Sequence, residues 1–220
     1  MRVDLHSHSR YSPDSKVDPV EIVKAARAGG LDGVAVTDHN AVEGSARAEA
    51  YARSIRFLVI RGTEVSTREG HILAYGVAED IPRDRSPRET VERILGLGGV
   101  PVAAHPYRFW SGLGEAHTVA SPFAAYEVQN ARTLRRGNVR ARALAAAKAV
   151  GATGGSDGHF LDEIGRAVTI FEDASTEGEI LEALRRGQSR AEGGDRGAGG
   201  TARYVPKAVG EWMLRGFRRI

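Results

Sequence analysis

The sequence contains no cysteine. This excludes a disulfide framework and thiolate metal sites, and it fits a reducing compartment. No apolar run approaches the roughly 20 residues that cross a bilayer, and the opening "MRVDLHSHS" lacks the apolar stretch of a secretory leader. These absences predict a cytoplasmic protein with no membrane partner. A strong charge of one sign is also missing. Lysine and arginine total 31 against 28 aspartates and glutamates, a formal net charge of +3. So small an excess does not by itself imply a nucleic-acid partner. Much of it is local, in Arg132, Arg135, Arg136, Arg140 and Arg142 and in Arg215, Arg218 and Arg219 near the end. A solvated helix face and a basic tail account for it, and a funnel for an anionic substrate is the alternative. No repeat of 20–50 residues interrupts the chain.

What is present is an alternation of strand-like and helix-like stretches. "RVDL" reads as a strand. Asp18-Pro19-Val20-Glu21 opens a helix, with Asp18 as N-cap and Glu21 placed to close a capping box, and Gly29-Gly30 stops it. "DGVAVTD" is a buried strand, a helix over about 42–53 follows, and "FLVIRG" and "HILAYGV" are further strands. Ser86-Pro87-Arg88-Glu89 repeats the helix-start grammar. "GVPVAA", "YEVQ" and "ATGG" read as buried strands, with an Ala-rich helix over about 138–150 before the last. "AVTIF" and a helix from Thr176 complete the pattern. The alternation predicts a parallel α/β architecture in one domain over 1–220, with a barrel over about 1–190. Residues 191–200 read as a Gly-rich loop. Residues 201–220 read as a basic amphipathic helix, with Val209, Trp212, Met213 and Phe217 at helical spacing.

The polar residues fall at the strand ends. His6 and His8 close the first strand, Asp38 and His39 the second, and Glu64 the third, while His71 opens the fourth. His105 follows "GVPVAA", and Asp157 and His159 follow "ATGGS". In barrel enzymes this C-terminal rim carries the active site. Residues two apart on a strand share a face, so His6 with His8, and Asp157 with His159, can converge on one ion. Six of the seven histidines sit at such junctions, more nitrogen donors than one metal uses. A carboxylate such as Glu64 can bridge two ions, and two ions about 3.5–4 Å apart suit phosphate-ester hydrolysis. His117, in a long polar stretch, reads as an ordinary surface residue.

In this order, "DLHSHSRYS", "TDH", "GTE", "HILAYG", "AHP", "EVQN" and "GGSDGH" resemble the motifs of the PHP (polymerase and histidinol phosphatase) superfamily, over about residues 1–190. The resemblance implies a distorted seven-stranded (β/α)7 barrel with a metal site at the C-terminal rim, two to three divalent ions, and phosphoesterase activity. It further implies three metal positions. His6, His8, Glu64 and Asp157 match the first. Glu64 bridges to the second, completed by His71 and His105. Asp14, His39 and His159 match the third. Many relatives have histidine where this chain has Asp14, and an oxygen donor there makes manganese or iron plausible beside zinc.

The expected reaction is hydrolysis of a phosphate monoester or diester, nucleotide-like or another small phosphorylated metabolite, by a metal-activated water. Alternatives are a histidinol-phosphate phosphatase and a nucleic-acid end-processing or accessory module. Arg108 and Arg132 follow rim strands and are candidate phosphate clamps, as is Arg166 in "EIGRA". Asp38 is expected either to orient a histidine from behind or to cap the backbone. Tyr107, Phe109 and Trp110 either anchor the loop after His105 or stack on a base.

Overall fold

The computed structural model describes residues 1–195. Nine strands and six α-helices are present among them: β1 (Arg2–Asp4), α1 (Pro19–Ala28), β2 (Gly33–Val36), α2 (Glu43–Ile55), β3 (Leu58–Ser66), β4 (His71–Tyr75), α3 (Pro87–Gly96), β5 (Val100–Ala103), α4 (Gly114–Ala120), β6 (Ala125–Asn130), α5 (Arg135–Lys148), β7 (Gly151–Gly155), β8 (Ala167–Ile170), α6 (Glu177–Arg185) and β9 (Arg190–Gly193). The expected helix over 201–220, and the Gly-rich loop beyond residue 195, lie outside the described residues. No described helix is long and apolar enough to cross a membrane.

The helix starts follow the local chemistry. Asp18 accepts a hydrogen bond from the Val20 backbone N–H at 2.8 Å, and Pro19 occupies the first turn. Glu21 does not close the expected box; its carboxylate pairs with Lys24 one turn on. Ser86 with Glu89, and Thr176 with Glu179, do form complete capping boxes. Each helix buries one stripe. In α1 this is Pro19, Ile22, Val23 and Ala26, at the spacing a 3.6-residue period demands.

The strands form one sheet in the order β7-β6-β5-β4-β3-β2-β1-β8-β9. The expected all-parallel arrangement of seven strands is not what forms. β4 runs antiparallel to both β3 and β5, β8 runs antiparallel to β1, and β9, inside the stretch read as loop, pairs antiparallel with β8. Only four residues separate β3 from β4, too few for the helical crossover a parallel pair needs. Helix α4 was also not anticipated: it carries the exposed His117.

The sheet curls into a nearly closed barrel. At the rim, past the ends of β1 and β7, the Asp157 N–H donates to the His6 carbonyl at 2.7 Å and the His8 N–H to the Gly158 carbonyl at 2.8 Å. Lower down, the Thr169 hydroxyl of β8 bonds to both the N–H and the carbonyl of Gly154 in β7. Glycine is required at this seam. A Cβ on Gly155 would stand 2.4 Å from the His6 Cβ, and one on Gly154 2.5 Å from the Val168 carbonyl oxygen.

Strand alternation sorts the apolar side chains into layers. Val3, Leu5, Leu73, Tyr75, Val100 and Val102 share one buried cluster with Ile180 and Leu184 of α6. Helix α6 covers the barrel end away from the histidines, where Arg185 donates to the Gly98 carbonyl just before β5. Two outer clusters seat the remaining helices. α1 and α2 pack on β2, β3 and β8, while α3 and α5 pack on β4 to β6. Each fully buried Ile or Leu contributes about 1.5–3 kcal/mol.

Candidate metal centre

At the open rim the strand ends bring nine donors together. Most are delivered by backbone at or just past the strand ends, while Asp14 lies in the turn that follows His8. His6 and His8 continue β1, and the Thr37 N–H bonds to the Ser7 carbonyl; His39 bridges to Glu64 near the end of β3. His71 lies at the start of β4, and because β4 is antiparallel its start faces the same rim as the ends of its neighbours. His105 and Asp157 follow β5 and β7 with positive φ, 27° and 52°. Such backbone costs of the order of 1–3 kcal/mol at non-glycine residues and gathers at functional sites.

The donor atoms converge in groups. The His6 and His8 Nε2 atoms are 3.1 Å apart, and each is 3.2 Å from Glu64 Oε2; Asp157 Oδ1 lies 3.4 Å from His8 Nε2 and 3.8 Å from His6 Nε2. The other oxygen of Glu64, Oε1, faces elsewhere, 3.0 Å from His71 Nδ1 and 2.9 Å from His105 Nε2. Asp14 Oδ2 lies 2.7 Å from His159 Nε2 and 3.7 Å from His39 Nε2, and the latter ring turns its Nδ1 towards Glu64 Oε2 at 3.4 Å. Ligands about 2.0–2.2 Å from a common ion stand roughly 3–3.5 Å from one another. Four sets of three have their donor atoms within 4.8 Å of one another: His6, Glu64 and His105; His6, His8 and Asp157; His8, Asp14 and His159; His8, His39 and Glu64.

Divalent ions fit these residues on chemical grounds. Asp14 Oδ1 and His39 Nδ1, both on residues of the donor cluster, are buried with no hydrogen-bond partner, a costly arrangement that a bound cation relieves. The set is all nitrogen and oxygen, which suits zinc, manganese or iron.

A layer behind the donors fixes their orientation. Glu127 Oε1 is 2.9 Å from His6 Nδ1, while its Oε2 accepts from the His105 backbone N–H at 2.8 Å and from the Asn130 amide at 3.1 Å. Ser12 Oγ is 3.0 Å from His8 Nδ1 and accepts from the His39 N–H at 2.8 Å. With the Nδ1 atoms of His6 and His8 occupied, their Nε2 atoms are the ones that point inward. Sequence reasoning missed Glu127 and Ser12 as functional residues, although both lie inside the family-like stretches "EVQN" and "HSRYS". A buried glutamate in the all-buried strand β6 was the available signal.

The electrostatics are those of a dense buried cluster. Burial disfavours charge on Glu64, Asp14 and Asp157, yet the histidines, and for Asp157 also Arg108, outweigh it and hold all three well below the usual carboxylate range. Burial likewise opposes charging His8, but Asp157 and Glu64 push its pKa up to about 9. For His6, Glu127, Glu64 and Asp157 overcome burial and raise it well above its ordinary value. At His39 burial prevails and lowers it to about 3.

The arginines divide. Arg108 Nη1 reaches Asp157 Oδ2, and Arg132 Nη1 reaches His159 Nδ1 and, at 3.3 Å, the Asp157 carbonyl. Both stand at the cluster. Arg166 does not. Its guanidinium is held by Asp162, four residues earlier, and both side chains are exposed. Asp38 makes no hydrogen bond to an imidazole. It accepts from the Ser9 N–H and hydroxyl, at 2.5 and 2.6 Å, and so caps the loop that carries His8. A Cβ on Gly44 would stand 1.8 Å from its Oδ2, so the neighbouring helix must approach as glycine. Tyr107 anchors its loop, with its hydroxyl 2.8 Å from Glu115 Oε2 and Arg140 over its ring at 4.2 Å. Phe109 and Trp110 do not; they stand exposed.

The PHP domain pattern matches residues 4–160 of this chain, and the PHP-associated pattern matches residues 135–189. An uncharacterized protein of Methanocaldococcus jannaschii is 38% identical over 117 residues, which cover 49% of this chain and 68% of that one. A 5'-3' exoribonuclease of Haemophilus influenzae is 29% identical over 164 residues, 67% of this chain and 58% of that protein. The chain thus spans little more than half of the exoribonuclease. Among solved structures, a two-domain Bacteroides vulgatus protein containing a predicted PHP-like metal-dependent phosphoesterase aligns with a TM-score of 0.73 at 21% identity, over 88% of this chain and 65% of that one. At that identity the likeness is one of fold. The domain pattern spans well over half of the chain and includes all nine clustered donors, and the chain therefore belongs to the PHP family.

Proposed function

We propose that this protein is a metal-dependent phosphoesterase that hydrolyses a phosphate monoester or diester of a small, nucleotide-like or otherwise phosphorylated metabolite. The observation that carries the reading is the divided carboxylate of Glu64, one oxygen towards His6 and His8 and the other towards His71 and His105. In this reading His6, His8, Glu64 and Asp157 hold one ion; Glu64, His71 and His105 a second; Asp14, His39 and His159 a third. Manganese, zinc and iron are the candidates. When bound, such ions neutralise phosphoryl oxygens and lower the pKa of water towards about 7.

The chain's own residues do the rest. Glu127 and Ser12 hold His6 and His8 in the tautomer that leaves Nε2 free to point inward. Arg108 and Arg132 each engage the cluster through one guanidinium nitrogen. A planar guanidinium at this place is of the kind that grips two phosphate oxygens at once and orients the ester. Burial of the donors keeps the effective dielectric low, so every charge acts more strongly on the phosphate.

A second reading is end-processing of nucleic acid, favoured by the likeness to the Haemophilus influenzae exoribonuclease over 67% of this chain. Histidinol phosphate is a further candidate ester of the same chemistry. The test is elemental analysis of the purified protein, then turnover with Mn²⁺ on a panel of histidinol phosphate, mononucleotides, nucleoside bisphosphates and short oligonucleotides. Two to three ions per chain and a preferred small ester support the proposal. Steep loss of activity with salt points to contacts with several phosphates and hence to a polynucleotide. No metal after reconstitution, or no turnover on any ester, overturns it.

A further inference from the structure

The loop after β5, which begins with the donor His105, leaves two large aromatic side chains in water. Phe109 is 81% exposed and Trp110 82%, the highest values among the exposed large apolar residues of the described chain. Isolated exposed apolar residues are common and need no explanation. These two differ in being paired, fixed and placed.

They are paired edge-to-face, ring centroids 4.7 Å apart and planes at 81°, so that together they present a corner of two flat walls. Both flanks are fixed. On one side Arg108 donates its N–H to the His105 carbonyl at 2.9 Å and sends its guanidinium to Asp157. On the other, the Ser111 carbonyl accepts from the His71 N–H at 3.1 Å, and the Gly112 N–H closes back on the Arg108 carbonyl at 3.0 Å. The turn is wound so tightly that a Cβ on Gly112 would stand 2.5 Å from the Pro106 carbonyl oxygen. The aromatic pair is therefore bracketed by residues bonded to three members of the donor cluster. A wall built in advance costs little ordering entropy when something stacks on it. Placement completes the case. Phe109 directly follows Arg108, whose guanidinium reaches Asp157, so the backbone of the aromatic pair starts at a residue that touches the cluster.

We infer that Phe109 and Trp110 are specificity-determining residues: they receive a flat aromatic group of the substrate while Arg108 takes its phosphate. This rests on the phosphoesterase reading and narrows it to phosphate esters that carry a ring, whether a nucleobase or an aryl group, against sugar or polyol phosphates. A guanidinium and a stacking face on successive residues match a ligand with an anion at one end and a plane at the other.

The experiment compares kcat/KM for 1-naphthyl phosphate and glycerol 2-phosphate in the wild type, Phe109→Ala, Trp110→Ala, Trp110→Phe and the double alanine variant. Stacking contributions of the usual size make the naphthyl-to-glycerol ratio fall roughly ten- to a hundredfold in the double alanine variant, with Trp110→Phe retaining most of it. An unchanged ratio overturns the inference. So does a shift from dimer to monomer in sedimentation without a change in ratio, since the corner would then cover a second copy of this chain. The phosphoesterase reading is judged separately by the ester panel; if the wild type turns over neither of these two esters, binding decides the inference. Quenching of tryptophan fluorescence by 1-naphthyl phosphate, lost in Trp110→Phe and absent with glycerol 2-phosphate, supports it; no quenching, or quenching that persists in Trp110→Phe, overturns it.

Discussion

Glu127 holds His6 by its Nδ1 at 2.9 Å, and with its second oxygen it accepts the backbone N–H of His105. One buried carboxylate on β6 thus fixes a ring from β1 and the backbone after β5, both members of the donor cluster. The donor cluster is therefore oriented from behind by a residue that belongs to none of its groups of three.

Glu127→Gln is therefore expected to weaken metal binding about 10- to 100-fold, the usual effect of removing such a partner. Competition with a chromophoric chelator measures it. Circular dichroism should show the fold retained. Unchanged affinity would mean that the His6–Glu127 bond does not set the ring.

The metal-free protein should lose stability above neutral pH. His8, at about 9, binds its proton more tightly folded than unfolded, where the pKa is about 6.5. Its contribution is complete below 6.5 and is lost as pH rises through 9; His6 shifts in the same direction. His39, at about 3, has the opposite sign, and its contribution is lost as pH falls from 6.5 towards 3. Chelator-treated protein should accordingly show a Tm that falls between pH 6.5 and 9. Added Mn²⁺ should remove or reverse that fall, because metal binds the deprotonated rings. A flat profile without metal would refute the assignment of charge on His6 and His8.

Glu64→Gln and Asp157→Asn should each abolish phosphate-ester hydrolysis while the chain still folds. Glu64→Gln should cost more metal, since the lost charge faces two groups of histidines at once. Metal content per chain, measured before and after dialysis, separates the two variants. Equal stoichiometry in both would argue against a shared carboxylate.

Arg132→Ala should lower kcat/KM for phosphate esters by one to a few orders of magnitude, roughly 1.4 kcal/mol per tenfold. Arg166→Ala should leave it within error, because Arg166 pairs with Asp162 in solvent. Equal losses in both would place Arg166 nearer the substrate than its ion pair suggests.

Gly155→Ala should destabilise the protein by about 1–3 kcal/mol through overpacking. The added Cβ would stand 2.4 Å from the His6 Cβ, at the seam that closes the barrel. Urea denaturation measures the loss, and reduced metal affinity should accompany it.

Much was legible in the sequence because it is local. Helix starts at Ser86 and Thr176 depend on residues within four positions, and strand runs such as "DGVAVTD" on their own burial pattern. The clustering of histidines and carboxylates at strand ends was visible because strand period and chain punctuation are both written in order along the chain. Other features depend on partners far apart. Nothing near His71 states that β4 runs antiparallel, yet that direction carries His71 to the rim. The role of Glu127 needs His6, 121 residues away, and the contact of Arg108 with the cluster needs Asp157, 49 residues on. The sequence by itself determined which residue types are available and which local elements present them. Only the tertiary structure decided which donors meet, because that depends on sheet direction and barrel closure, set by backbone pairing between distant strands.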